Sequence, residues 1–192
     1  MKFIVIGSGP AGIYASFVLS AKGEVTLIEK EERLGGTCVN TGCIPGKVML
    51  RPLVLSYLLS KFNRKVEFSL EELQALAKEA SNRLSKGVEY MLEEAGVEVI
   101  HGVAKLKSEK VEVNGQAIDS DGVVVATGLK RPESTASDDI IELKEFKKVA
   151  LIGGGVGGVE YAWLLKNAGK EVHVYERGPY LLPRADKDLS VA

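Results

Sequence analysis

The chain opens on an unbroken apolar run, Phe3-Ile4-Val5-Ile6, in which no polar position alternates with the apolar ones. Such a run predicts a strand buried on both faces of a parallel sheet. A glycine-rich turn follows, then helical spacing from Pro10 to Ala21 ending before a capping Gly23, then a second apolar strand closing on Glu29. The same order returns from Lys148 to Arg177. Gly7, Gly9 and Gly12 match Gly153, Gly155 and Gly158, and Glu29 matches Glu176 after a one-residue insertion. A repeat of a whole strand–turn–helix–strand unit is a statement about architecture. Between the copies, Ser69 and Glu72 form a capping-box pair ahead of a long helix with an apolar stripe of Leu73, Leu76, Ala80, Leu84, Val88, Met91 and Leu92. Short alternating strands come next, with Asn114-Gly115 as a hairpin turn, then a polar, irregular stretch.

Each glycine of "GSGPAG" has a physical task. The first permits the tight turn, the second lets a pyrophosphate approach the backbone, and the third lets the helix pack on the strand. The helix N-terminus offers unpaired N–H groups to the phosphate. Glu29, 22 residues after Gly7, is placed to accept from a ribose diol. The bland alternative, a βα turn that needs glycine only for sterics, does not account for the strand, the helix and the acidic end together. "GGGVGG" and Glu176 repeat the arrangement. Glu176 would repel a 2′-phosphate and favours NAD, although the adjacent Arg177 could take that phosphate instead. The expected fold class is therefore α/β, with two Rossmann-like, doubly wound, mostly parallel dinucleotide-binding units, the second incomplete.

Composition changes this picture little. With 25 basic and 26 acidic residues, no net field draws the chain to nucleic acid or an anionic membrane. The apolar stretch around "VMLRPLVLSYLL" is interrupted by Arg51 and Pro52 and reads as too short to cross a bilayer. With a strand starting directly after Met1, no leader is expected, and a cytoplasmic setting follows.

Both cysteines lie in "GGTCVNTGCIPGK". Three readings compete at this point: a zinc site, a structural disulfide and a redox-active dithiol beside a flavin. Zinc wants more ligands than two cysteines supply, and the only histidines, His101 and His173, lie far along the chain. A structural disulfide fits poorly with a reducing compartment. Five helical residues rise roughly 7.5 Å, whereas a disulfide wants Cα atoms within about 7 Å. A bond between Cys38 and Cys43 therefore needs a distorted turn, for which Gly42 and Pro45 are suited.

This segment resembles the active-site signature of the pyridine nucleotide–disulfide oxidoreductases, G-G-T-C-x-N-x-G-C-x-P-S-K. The order of the first fingerprint, the cysteines, "VVVATG" and the second fingerprint matches as well. Within the family the chain is most like the dihydrolipoamide dehydrogenase branch. The mercuric and glutathione reductase types are the alternatives, the latter less favoured because of Glu176, and a truncated, non-catalytic FAD/NAD-binding module is a further one. The resemblance implies electron transfer between NAD(H) and a small disulfide or dithiol through FAD and a Cys38–Cys43 redox disulfide. It makes Cys38 the interchange thiol and Cys43 the thiol nearer the flavin. Lys47, beside the flavin ring, pairs with Glu160 of the second fingerprint helix. FAD would lie against Gly7, Gly9, Pro10, Ala11, Gly12, Glu29, Lys30, Gly36, Thr37, Cys38, Cys43, Lys47, Ala126, Thr127 and Gly128. NAD would lie against Gly153, Gly155, Gly158 and Glu176. Residues 1–128 would form an FAD-binding domain, 129–147 a linker and 148–192 part of an NAD-binding domain. Low thiol pKa values, from a helix start and a nearby cation, would serve the chemistry.

Two departures stand out. Gly46 occupies the signature's serine position, with a modest expected effect. Family members are also more than twice as long and end in a dimerisation domain carrying a histidine–glutamate acid–base pair. On that basis the chain reads as the N-terminal portion of a homodimeric enzyme, unable to turn over alone. His101 and His173 are expected to be ordinary strand histidines.

Overall fold

The computed structural model describes residues 1–107, 110–129 and 136–191. They divide into two compact units, one within Met1–Ile44 and Glu79–Pro132, the other within Pro45–Lys78 and Glu133–Ala192. This grouping differs from the boundaries read from the sequence in setting Pro45–Lys78 with the C-terminal residues. Residues 130–135 of the expected linker lie outside the described residues.

In the first unit, β1 (Lys2–Ile6) leads through the glycine turn to α1 (Pro10–Ser20) and β2 (Glu24–Glu29). The short α2 (Gly36–Asn40) and the first residues of α3 (Cys43–Ser60) follow. The chain returns along α4 (Leu70–Glu94) to β3 (Val97–His101). Three short antiparallel strands come next, β4 (Lys105–Lys107), β5 (Lys110–Val113) and β6 (Gln116–Ile118), and then β7 (Gly122–Val125). The main sheet runs β3-β2-β1-β7, every pair parallel, with Ile4 opposite Thr26 and Val123. Ile4, Val5, Leu27 and Ile28 are buried on its two faces, as the unalternating runs require. Asn114 and Gly115 both take positive φ, 51° and 80°, which a two-residue hairpin turn between β5 and β6 demands.

In the second unit, β8 (Lys148–Ile152), α5 (Val156–Asn167) and β9 (Glu171–Tyr175) repeat the opening motif, and α6 (Lys187–Val191) closes the described chain. β8 and β9 pair in parallel, Lys148 opposite Glu171. Met49 and Leu53 of α3 are buried with Leu70, Leu73, Ile140, Ile141, Leu164 and Leu165.

α3 continues through Arg51 and Pro52, the residues that interrupt its apolar run. With α2, the stretch Gly36–Ser60 has the length and mean hydropathy, 1.2, of a membrane-crossing segment. It is nevertheless interrupted at Thr41–Gly42, carries Lys47 and Arg51, and buries Met49 and Leu53 in a protein core.

α4 forms with its capping box in place, the Ser69 hydroxyl accepting from the Glu72 amide at 3.2 Å and the Glu72 carboxylate from the Ser69 amide at 2.7 Å. Its buried line is rotated, however, to Leu70, Leu73, Gln74, Ala77, Ser81, Ser85, Val88 and Leu92, leaving Leu76, Leu84 and Met91 exposed. Gln74 is admitted because its amide donates to the carbonyls of Ile140 at 2.8 Å and Leu143 at 3.0 Å. Satisfied polar groups can displace leucine from a core face.

Candidate functional site

The first glycine turn is built by close approach. Gly7 sits at φ +102°, and a Cβ there would stand 2.5 Å from the Ala126 carbonyl oxygen. The turn is thereby set against Ala126 and Thr127 at the end of β7, whose Ala126 amide donates to Ile6 at 2.8 Å. A Cβ on Gly12 would lie 1.8 Å from the Gly7 carbonyl oxygen, so α1 packs on the turn only because that atom is missing. Gly9, the N-cap of α1 ahead of Pro10 and Ala11, has nothing within 4 Å of its Cβ position. That open ground at a helix N-terminus is where a pyrophosphate can approach. The second turn repeats the pattern: Gly153 at φ +104°, a Gly158 Cβ 2.0 Å from the Gly153 carbonyl oxygen, and clear space at Gly155.

The two acidic residues occupy equivalent places. Glu29 is 7% exposed and accepts from the Ser8 amide and the Ser8 hydroxyl, each at 2.7 Å, and from the Glu31 amide at 3.0 Å. Burial alone would raise its pKa, but the Ser8 hydroxyl and the amides of Glu31, Ser8 and Lys30 outweigh it and hold the carboxyl below the usual range. Glu176 accepts from the amides of Gly178 at 2.8 Å and Gly154 at 2.6 Å, and these bonds likewise lower it. Lys30 points outward and pairs with Glu31 at 3.4 Å.

The cysteine segment lies directly on the first turn. The Gly35 amide donates to the Ser8 carbonyl at 3.1 Å, and a Cβ on Gly36, at φ +60°, would stand 2.7 Å from the Gly9 Cα. α2 then carries Thr37 and Cys38 and stops at Asn40. The amides of Thr41 and Gly42 both donate to the Thr37 carbonyl, at 2.9 and 2.6 Å. α3 restarts at Cys43. This break is the distorted turn expected from Gly42, and it sets the two thiols near enough to perturb one another; both are free, Cys38 half-buried and Cys43 exposed.

The thiol chemistry corrects one expectation. The hydrogen bond to Cys43, then burial and the charge of Cys43, push the Cys38 thiol up rather than down. A thiol that shares its proton with a neighbour is hard to ionise while that neighbour is itself a thiolate.

In the second unit, Lys47 pairs with Glu160, as the sequence reading expects. Their side chains are 64% and 37% exposed, so the pair adds little stability and its value lies in placement. One residue away on each helix, buried Gly46 faces Tyr161, whose hydroxyl would lie 3.0 Å from a Cβ at position 46. A serine at position 46 would thus press on the Tyr161 hydroxyl. His101 donates from Nδ1 to the Glu31 carbonyl at 2.9 Å, and His173 contacts Glu171 at 3.0 Å; both are exposed at strands.

Two contributors escape sequence reasoning. Ser8 occupies an unspecified position of the fingerprint. Asn40 donates to the Leu34 and Gly36 carbonyls at 3.0 and 3.1 Å and staples the entry to the cysteine segment. The asparagine of the signature is visible in the sequence, but nothing there names its partners.

The family model of the pyridine nucleotide-disulphide oxidoreductases matches residues 1–192. A dihydrolipoyl dehydrogenase of Chlorobaculum parvum is 37% identical over 212 residues, covering 98% of this chain and 45% of that protein. One from Bacillus subtilis is 30% identical over 217 residues, covering 99% and 47%. Among solved structures, the Cu(II) complex of RclA, an HOCl-induced flavoprotein disulfide reductase of Escherichia coli, superposes with a TM-score of 0.81 at 26% identity, covering 97% of this chain and 44% of that one. The chain spans about half the length of these relatives.

Proposed function

Because the chain belongs to the pyridine nucleotide-disulphide oxidoreductases, we propose that it is the FAD-binding and dithiol-bearing part of an enzyme that moves electrons between NAD(H) and a small, lipoamide-like disulfide or dithiol. The observation that carries this reading is the seating of the cysteine segment on the fingerprint turn, Gly36 against Gly9, with Cys38 and Cys43 on either side of one helix break. Residues 1–128 are the proposed FAD domain, 129–147 the proposed linker and 148–192 the proposed start of an NAD domain.

The residues fit the two dinucleotides. Clear space before Gly9 and Gly155, helix N-termini behind them, and carboxylates at the ends of β2 and β9 are what a pyrophosphate and a ribose diol need. Gly7, Gly12, Gly36, Thr37, Ala126, Thr127 and Gly128 would line the FAD site, with Gly158 behind the NAD turn. FAD, when bound, supplies the ability to accept or give up a hydride. The dithiol does the rest. The Cys38 thiolate attacks a substrate disulfide, forming a mixed disulfide and releasing one substrate thiol, which takes up the proton lost by Cys38. Cys43, as thiolate, then attacks the Cys38 sulfur and releases the second substrate thiol, closing the Cys38–Cys43 bond. Run backwards, the same steps oxidise a dithiol. Lys47, set by Glu160, would place a cation one helical turn beyond Cys43.

FAD titrated into the purified chain should be taken up at about one molecule per chain, with quenching of its fluorescence. A folded chain that leaves FAD fluorescence unchanged would defeat the assignment.

A further inference from the structure

The two acidic residues are gripped unequally, and the difference is one hydroxyl. Ser8 is fully buried and its hydroxyl donates to Glu29 at 2.7 Å. The Gly35 amide donates to that same oxygen at 3.2 Å. A hydroxyl has one proton and two lone pairs. The ionised Glu29 carboxylate can only accept, so the hydroxyl proton is aimed at it, and the Gly35 amide, shared with the Ser8 carbonyl at 3.1 Å, meets a lone pair of the same hydroxyl. At the equivalent place in the second unit stands Gly154, which gives Glu176 its amide alone. A Cβ on Gly154 would lie 2.4 Å from the Cδ2 of the exposed Leu181, which would have to turn aside for any side chain there. Glu29 is buried with three donors; Glu176 is half-buried with two.

The geometry points to Ser8 as a positioning residue that locks the Glu29 carboxylate in one orientation toward an adenosine ribose. A carboxylate already held in place loses little freedom when a diol arrives, so more of the diol's hydrogen-bond energy appears as affinity. The inference rests on the reading of the first turn as the FAD site.

The test is competition of ADP and 2′,3′-dideoxy-ADP against FAD, read by flavin fluorescence, so that only the site taking FAD reports. In the unaltered chain ADP should compete about tenfold better than its dideoxy analogue, the worth of one hydrogen bond to a charged group. In Ser8→Ala and Ser8→Gly that preference should fall to about twofold, and Ser8→Thr, which keeps the hydroxyl, should restore it. Gly is the residue the second turn tolerates at this place, so Ser8→Gly guards against misfolding of the alanine variant. Equal weakening of both competitors in the variants would reduce Ser8 to a packing residue and overturn the proposal. Failure of the unaltered chain to bind FAD would instead overturn the assignment of the first turn, and the role of Ser8 with it.

Discussion

A chain carrying Cys43→Ser should keep its fold and lose the electron pair that a Cys38–Cys43 disulfide can store. Cys43 is exposed at the first position of α3 and serves no core, so serine in its place removes the sulfur and little else. Under a mild oxidant both thiols of the parent should disappear together and return with dithiothreitol, because the break at Thr41–Gly42 already sets them near one another. The variant should keep its Cys38 thiol under the same treatment. A substrate disulfide could still form a mixed disulfide with Cys38, but no second thiol would release it. Disulfide reduction by an FAD-loaded enzyme should then fall by at least about a thousandfold, the usual cost of losing a member of a covalent relay. Parent thiols that titrate independently would sink this expectation.

Gly12→Ala and Gly9→Ala should part company, although both alter the same six-residue turn. The alanine Cβ at position 12 would sit 1.8 Å from the Gly7 carbonyl oxygen and 2.9 Å from its carbon. Backbone on both sides leaves only the option of moving α1 off β1, at a cost of about 3 kcal/mol or more. A large drop in the melting temperature should follow, with FAD binding lost as a consequence. At position 9 the new methyl meets nothing within 4 Å, and the φ of −67° suits alanine. Its melting temperature should match the parent's, yet the methyl stands where the pyrophosphate must come, and FAD binding should be lost all the same. A Gly12→Ala protein that melts like the parent would contradict the packing described above. A Gly9→Ala protein that holds FAD as tightly as the parent would contradict the placement of the phosphates.

The turns were legible because each glycine answers a local constraint that no other residue meets. Gly7 and Gly153 need positive φ, and Gly12 and Gly158 need a missing Cβ against a carbonyl five residues back. The repeat, the capping box at Ser69 and Glu72, and the Asn114-Gly115 hairpin are decided over the same short range. What escaped depends on distant partners. The buried line of α4 turns on Gln74 finding the carbonyls of Ile140 and Leu143, 66 and 69 residues away. The neighbour of Gly46 is Tyr161, on another helix. The raised Cys38 thiol is a property of the pair, visible only once the broken helix brings Cys43 beside it. Ser8 was hidden because the fingerprint leaves its position open, and its worth appears only where Glu29 and Gly35 converge on one hydroxyl.

The central claim is that the two thiols and a bound flavin form one electron store. Anaerobic reductive titration of the FAD-loaded, oxidised chain measures it directly. Uptake of about two electron pairs per flavin, one on the flavin and one on the Cys38–Cys43 disulfide, is the expected result, with about one pair in Cys43→Ser. Uptake of a single pair by the unaltered chain would mean that its cysteines stand apart from the flavin, and would contradict the function proposed for it.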